Sequence, residues 1–177
     1  MTDKVIRPEE RFSNTITNLC KTTSRYLEDA VRRGFNLFDN SLLELAIVFI
    51  REQPGKDLIH GYIVCSIDFW PIIKTKERDF LIKNMMDIFG SNLTTSYGED
   101  TKELFNGKDT QGAPWVGSER ESKLWLFFRS LTRISLTYLK EKPEARKEVE
   151  NLYQTTKKRP LKVDWSDMFE VYLDNWQ

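Results

Sequence analysis

The 177-residue chain is short of the residues that mark special scaffolds or special chemistry. It has two cysteines, Cys20 and Cys65, too few for a disulfide-framed secreted domain of this length. Both are expected to be free thiols, Cys65 a buried one. His60 is the single histidine. A histidine-centred reaction needs a nucleophile or carboxylate beside the ring, and the nearest thiol, Cys65, is badly placed. An offset of five puts it on the opposite face of a strand and off the stripe of a helix, so His60 is expected to be structural or superficial.

Net charge is absent too, with 27 Lys and Arg against 27 Asp and Glu. The whole chain therefore exerts no pull on nucleic acid or anionic lipid, while the lack of mutual repulsion permits self-association. Long apolar runs are missing. The strongest, Leu45 to Ile50, falls far short of the ~20 residues that span a bilayer. The opening Met1 to Glu10 has no apolar segment of the kind that forms a secretory signal. A cytoplasmic chain without a membrane span is expected, and the sequon Asn92-Leu93-Thr94 is read as chance.

Site motifs are missing as well. The sequence contains no C-x-x-C, H-E-x-x-H or H-x-H of the kind that holds zinc. Asp100 and Asp109 lack the spacing of a calcium loop. There is no glycine-rich phosphate cradle and no G-x-S-x-G elbow. No catalytic, cofactor-binding or metal-ligating residue is assigned.

What the chain does have is core material: 40% hydrophobic residues, among them 11 Phe, 6 Tyr and 5 Trp. A domain of this size buries about 70% of its unfolded surface, so no metal or disulfide is needed to hold it. Alanine is scarce (Ala30, Ala46, Ala113, Ala145) beside many Asn, Lys, Ile and Phe, a composition that suits a small viral or AT-rich-genome protein.

Apolar periodicity predicts a mainly α, multi-helix domain. Residues 1–9 read as a flexible tip and 10–177 as one helical domain. A first helix is expected from Glu10 to Arg33, with Ile16, Leu19, Cys20, Leu27, Ala30 and Val31 on one face, Gly34 as its stop and Phe35 packing back. Ser41 and Glu44 have capping-box spacing ahead of a run, 42–50, that is apolar nearly all round and hence expected to be buried. Within 42–70 a small β-hairpin competes, because Pro54-Gly55 can turn and the β-branched residues suit strands. Ile59, Ile63, Ile67 and Trp70 fit a helical stripe equally well, and Gly61 costs a helix about 1 kcal/mol.

A helix is expected over 75–89, then a long loop, 91–117, that divides two subregions; only Thr101 to Phe105 could form a helical turn there. The clearest element runs from Glu119 to Glu141. It carries Leu124, Phe127, Phe128, Leu131, Ile134 and Tyr138 at helical offsets, with Ser118 and Glu121 as a second capping box. Pro143 opens a polar helix reaching about Gln154, with a narrow stripe of Ala145, Val149, Leu152 and Tyr153. Asp164 is placed as the N-cap of a terminal amphipathic helix, 165–176.

Two features could carry function. From Lys140 to Lys162 eight Lys or Arg face four Glu, a net of +4, while 164–177 hold four acids and no base. Lys157, Lys158, Arg159 and Lys162 are the candidate contacts to nucleic acid or another acidic partner. Alternatively the acidic tail, of this chain or a neighbour, neutralises them, which the juxtaposition favours. The second feature is the stripe Trp165, Phe169, Tyr172 and Trp176. It packs into the chain's own core, or it docks into a partner's groove. The leading expectation is a non-enzymatic binding or assembly protein, acting on itself or on a protein partner. Nucleic-acid binding (RNA above all) through 140–162 is the first alternative, and an enzyme whose carboxylates meet only in the fold is the second.

Overall fold

The computed structural model describes residues 6–36, 41–80 and 103–176. Helix α1, Pro8–Arg32, begins two residues earlier than expected. Pro8 sits in the first turn with Glu9 and Glu10 beside it and Arg32 in the last turn, an arrangement that suits the helix dipole. Pro8 is buried, so residues 8 and 9 belong to the folded domain and not to a tip. Phe12, Leu19, Leu27 and Ala30 form the buried face. Val31 falls outside it and is exposed. Gly34, at φ +100°, stops the helix: its N–H donates to Val31 O at 3.0 Å, and the Phe35 N–H donates to Ala30 O at 2.9 Å. This double closure gives partners to carbonyls of the last helical turn and returns Phe35 to the core, as expected.

The 42–70 segment is helical, and the competing hairpin does not form. Helix α2, Ser41–Glu52, is followed by α3, Gly55–Ser66, a 3₁₀ turn over Ile67–Phe69 and α4, Trp70–Thr75. Ile59, Ile63, Ile67 and Trp70 are all buried, so the helical stripe meets a core that outweighs the Gly61 penalty. Helix α2 differs from expectation. Ile50 is buried, but Val48 and Phe49 are 49% and 58% exposed, so the run is not buried all round. The Ser41 side chain of the first expected capping box lies outside the described residues. So do the 81–89 part of the expected fourth helix and 91–102 of the long loop. Helix α4 ends at Thr75, where Lys76 takes a left-handed conformation, and 78–80 resume as helix.

The described part of the loop is folded. Residues 103–106 make the one helical turn expected there, and a single isolated bridge joins Lys108 to Pro114. Leu104, Trp115 and Val116 bury themselves with Leu27, Ala30 and Phe35, a small core at the C-terminal end of α1. The Arg33 guanidinium ties it down. It donates to Asp109 at 2.9 Å and to the carbonyls of Pro114 and Trp115, and it stacks on the Trp115 ring.

Helix α5, Ser118–Glu141, is the spine, about 36 Å long at 1.5 Å per residue. Leu124, Phe128, Leu131, Ile134, Tyr138 and Leu139 are buried along it. It packs against α1, α3 and α4. The second capping box does not form. Gly117, at φ +82°, is the N-cap, which makes Ser118 the first helical residue, and the Glu121 carboxylate pairs with Arg78 at 2.8 Å. Helix α6, Glu144–Lys157, has Pro143 as its N-cap and buries Ala145, Val149 and Tyr153. Leu152, placed on that stripe by spacing, is largely exposed. Helix α7, Trp165–Phe169, is capped by Asp164, whose carboxylate accepts from the N–H groups of Ser166 and Asp167. It widens into a π-helical turn over Glu170–Asp174, so 165–176 is not one α-helix.

The main core gathers Phe12, Trp70, Leu131, Tyr153, Phe169 and Trp176 with their neighbours. Among the described residues there is no strand beyond the single bridge, and no helix is long and apolar enough to cross a membrane. The fold is mainly α.

Candidate functional site

The basic segment 157–162 lies where α6 ends and the chain reverses. Lys158 makes the reversal at φ +58°, a left-handed conformation that costs a non-glycine residue roughly 1–2 kcal/mol. Arg159 follows and reaches back to the 3₁₀ turn, where it donates to Asp68 Oδ2 at 2.8 Å. Its guanidinium lies over the Tyr153 ring, 5.5 Å from the centroid. The Tyr153 hydroxyl donates to the same carboxylate, 2.8 Å from Oδ1 and 2.9 Å from Oδ2. Burial, and then the bond to Asp68, push the Tyr153 hydroxyl up to about 12, so it stays a donor at any physiological pH.

This clamp borders a groove of about 440 Å³. Ile67 and Pro71 line it from the 3₁₀ turn and α4, Leu161 and Val163 from the returning strand of chain, and Met168 and Tyr172 from the terminal segment. Arg159 and Lys162 are the two cations in its wall. Lys157 is half-buried on the last turn of α6, and Lys158 and Lys162 are exposed. Two of the four basic candidates therefore meet at the groove, and the other two sit on the turn leading into it.

Among the described residues, no acid of this chain's own tail pairs with a cation of 157–162. Among the described residues the one ion pair between 140–162 and 164–176 is Lys140 with Asp174, at 3.9 Å. Lys142 pairs instead with Glu9 and Arg159 with Asp68. The Arg146 side chain donates to Leu139 O and stacks on Phe169.

The four docking candidates are placed inward. Phe169, Tyr172 and Trp176 are buried in the main core. Trp165 is half-buried, and its indole N–H donates to Glu150 at 2.7 Å. Tyr172 meets Trp70 edge-on at 5.9 Å and Trp176 at 5.8 Å. Phe169, Tyr172 and Trp176 complete the chain's own core, and Tyr172 also lines the groove.

Sequence spacing missed a second polar cluster. His60 is 5% exposed; its Nε2 lies 3.2 Å from the Tyr138 hydroxyl and its Nδ1 3.9 Å from Glu148. Lys56 pairs with Glu148 at 2.6 Å. Burial lowers the pKa of His60, Glu148 opposes that, and Lys56 adds to it. No local pattern reports this cluster, because His60 and Tyr138 are 78 residues apart. Cys20 and Cys65 are free. Cys65 is half-buried, less enclosed than expected. Among the described residues no three His, Cys, Asp or Glu side chains are placed to hold a metal. The carboxylates of Asp29, Asp109 and Glu148 are held below their ordinary range, by an Arg120 bond, by backbone N–H groups and by Lys56 respectively.

Fold and site together describe a helical domain with a basic-rimmed apolar groove. No protein-family model, curated protein or solved structure matches the chain.

Proposed function

We propose that the protein is a non-enzymatic binding module that holds an acidic macromolecular partner on the face formed by 157–162 and the groove beside it. The observation that supports this reading is the position of the basic segment. Four cations fall within six residues, three of them exposed, and only Arg159 among them has a carboxylate partner within the described residues. Cations that the fold leaves to water are available to a partner's anions at little desolvation cost. Burial of Phe169, Tyr172 and Trp176 favours this face over the terminal aromatic stripe as the docking element; Trp165 is half-buried.

Nucleic acid is the second reading. Lys157, Lys158 and Lys162 can displace condensed counterions from a phosphate backbone. The test is binding of labelled single-stranded RNA and of labelled poly-glutamate across a salt series, with light scattering of each mixture. The partner reading expects saturable binding to one of them, falling with salt. It also expects loss of that binding when Lys157, Lys158, Arg159 and Lys162 are changed together to Ala. Unchanged binding by that variant, or no binding to either polyanion, would overturn it.

A further inference from the structure

We infer that the groove reads a short peptide segment in which a carboxylate side chain sits next to a bulky apolar one. The inference rests on the proposed binding face and specifies its ligand. Arg159 carries the argument. Its backbone is constrained on both sides, by left-handed Lys158 and by Pro160, whose ring restricts the residue before it. Its guanidinium is held by stacking on Tyr153 and by one end-on bond to Asp68. Five N–H donors are available on a guanidinium; Nη2 is spent on Asp68, and the head also interacts with the Tyr153 hydroxyl. The head is therefore oriented, 61% exposed on its side chain, and largely unspent, at the mouth of an apolar groove.

Asp68 does not close that site. Asp68 lies in the groove wall, where the Tyr153 hydroxyl lies within hydrogen-bond distance of both its oxygens. A water-facing pair of this kind is weak, and a second carboxylate can share or replace it.

The rest of the site distinguishes a peptide from a polyanion. Ile67, Pro71, Leu161 and Met168 present apolar wall beside the cations, and a phosphate backbone would leave that wall unused. At about 440 Å³ the groove falls within the roughly 300–1,000 Å³ typical of ligand pockets. One acid, Asp68, stands in the wall with Arg159 and Lys162. Two cations beside one already paired acid suit one or two incoming carboxylates.

The test uses fluorescence anisotropy of the full chain with three labelled octapeptides: alternating Glu and Leu, Gln in place of Glu, and Ser in place of Leu. The Glu/Leu peptide should bind saturably, and each matched peptide about tenfold or more weaker. Arg159→Gln should bring the Glu/Leu peptide down to the Gln/Leu level. Lys162→Gln, a change on an exposed side chain that leaves the clamp intact, should weaken it less. Equal binding of the Glu/Leu and Glu/Ser peptides would overturn the inference while leaving the binding face standing, since charge alone would then suffice. Equal binding of the Glu/Leu and Gln/Leu peptides, or failure of all three, overturns it as well. Single-stranded RNA binding that depends on Lys157 and Lys158 but not on Arg159 would assign the face to nucleic acid instead.

Discussion

His60 sits with its ring between α3, α5 and α6, and what it touches sets its charge. Burial favours the neutral ring, and that effect leads over Glu148 and Asp57, which favour the cation, with Lys56 against it. Its pKa in the folded protein is therefore below the ordinary 6.5. As pH falls through 6.5 the unfolded chain takes up a proton that the folded chain refuses, so stability present above that pH drains away below it. Urea unfolding midpoints should fall between pH 7 and about 5.5, and His60→Gln should flatten that slope. A slope unchanged by the substitution would place the acid sensitivity elsewhere. Two glycines make a second residue-level contrast. A Cβ on Gly55 would lie 2.7 Å from the Glu9 Cβ and 3.1 Å from its carbonyl oxygen, whereas one on Gly61 would meet nothing within 4 Å. Gly61→Ala should stabilise by about 0.5–1 kcal/mol through helix propensity. Gly55→Ala should destabilise by about 1–3 kcal/mol, because α1 and α3 must part to admit the methyl. Denaturant midpoints decide both.

At the scale of the element, the terminal segment behaves as core. Phe169, Tyr172 and Trp176 are buried, Lys74 donates to Val171 O at 2.9 Å, and Arg129 donates to Trp176 O at 2.6 Å. Trp176→Ala should cost about 3–5 kcal/mol, a large part of the roughly 5–15 kcal/mol that holds a domain. Removing 164–177 should therefore abolish the near-ultraviolet dichroism of packed aromatics and not merely a binding activity. A truncated chain with native cooperativity would return the stripe to the list of docking elements. The stripe's spacing, legible from the residues, marked it as amphipathic. It could not say whether the apolar face lay on this chain or on another, because i, i+3, i+4 periodicity is the same for both.

The described residues form two hydrophobic clusters of unequal size. The larger joins α1, α3, α4, α5, α6 and the terminal segment. The smaller, around Leu104, Trp115 and Phe35, hangs on α1 through the Arg33 bonds. Protection from exchange tracks local contact and burial, so the two should open separately. Arg33→Ala should speed amide exchange over 103–117 by about tenfold or more, since several charge-assisted bonds go at once, and leave 124–139 protected. Loss of protection along α5 in the same variant would show a single cooperative unit.

The chain's own pattern determined that it is helical, where α1 stops, that 118–141 is a long helix and that Asp164 caps the last one. All of these depend on neighbours within a few positions, where backbone geometry, glycine conformation and capping act. Tertiary structure alone decided that 42–70 is helix, that Val48 and Leu152 stay outside while Trp176 goes inside, and that Arg159 is steered to Asp68 and not to the acidic tail. These outcomes turn on which surfaces meet across tens of residues, and burial and ion pairing are settled by that meeting, whatever the local spacing suggests.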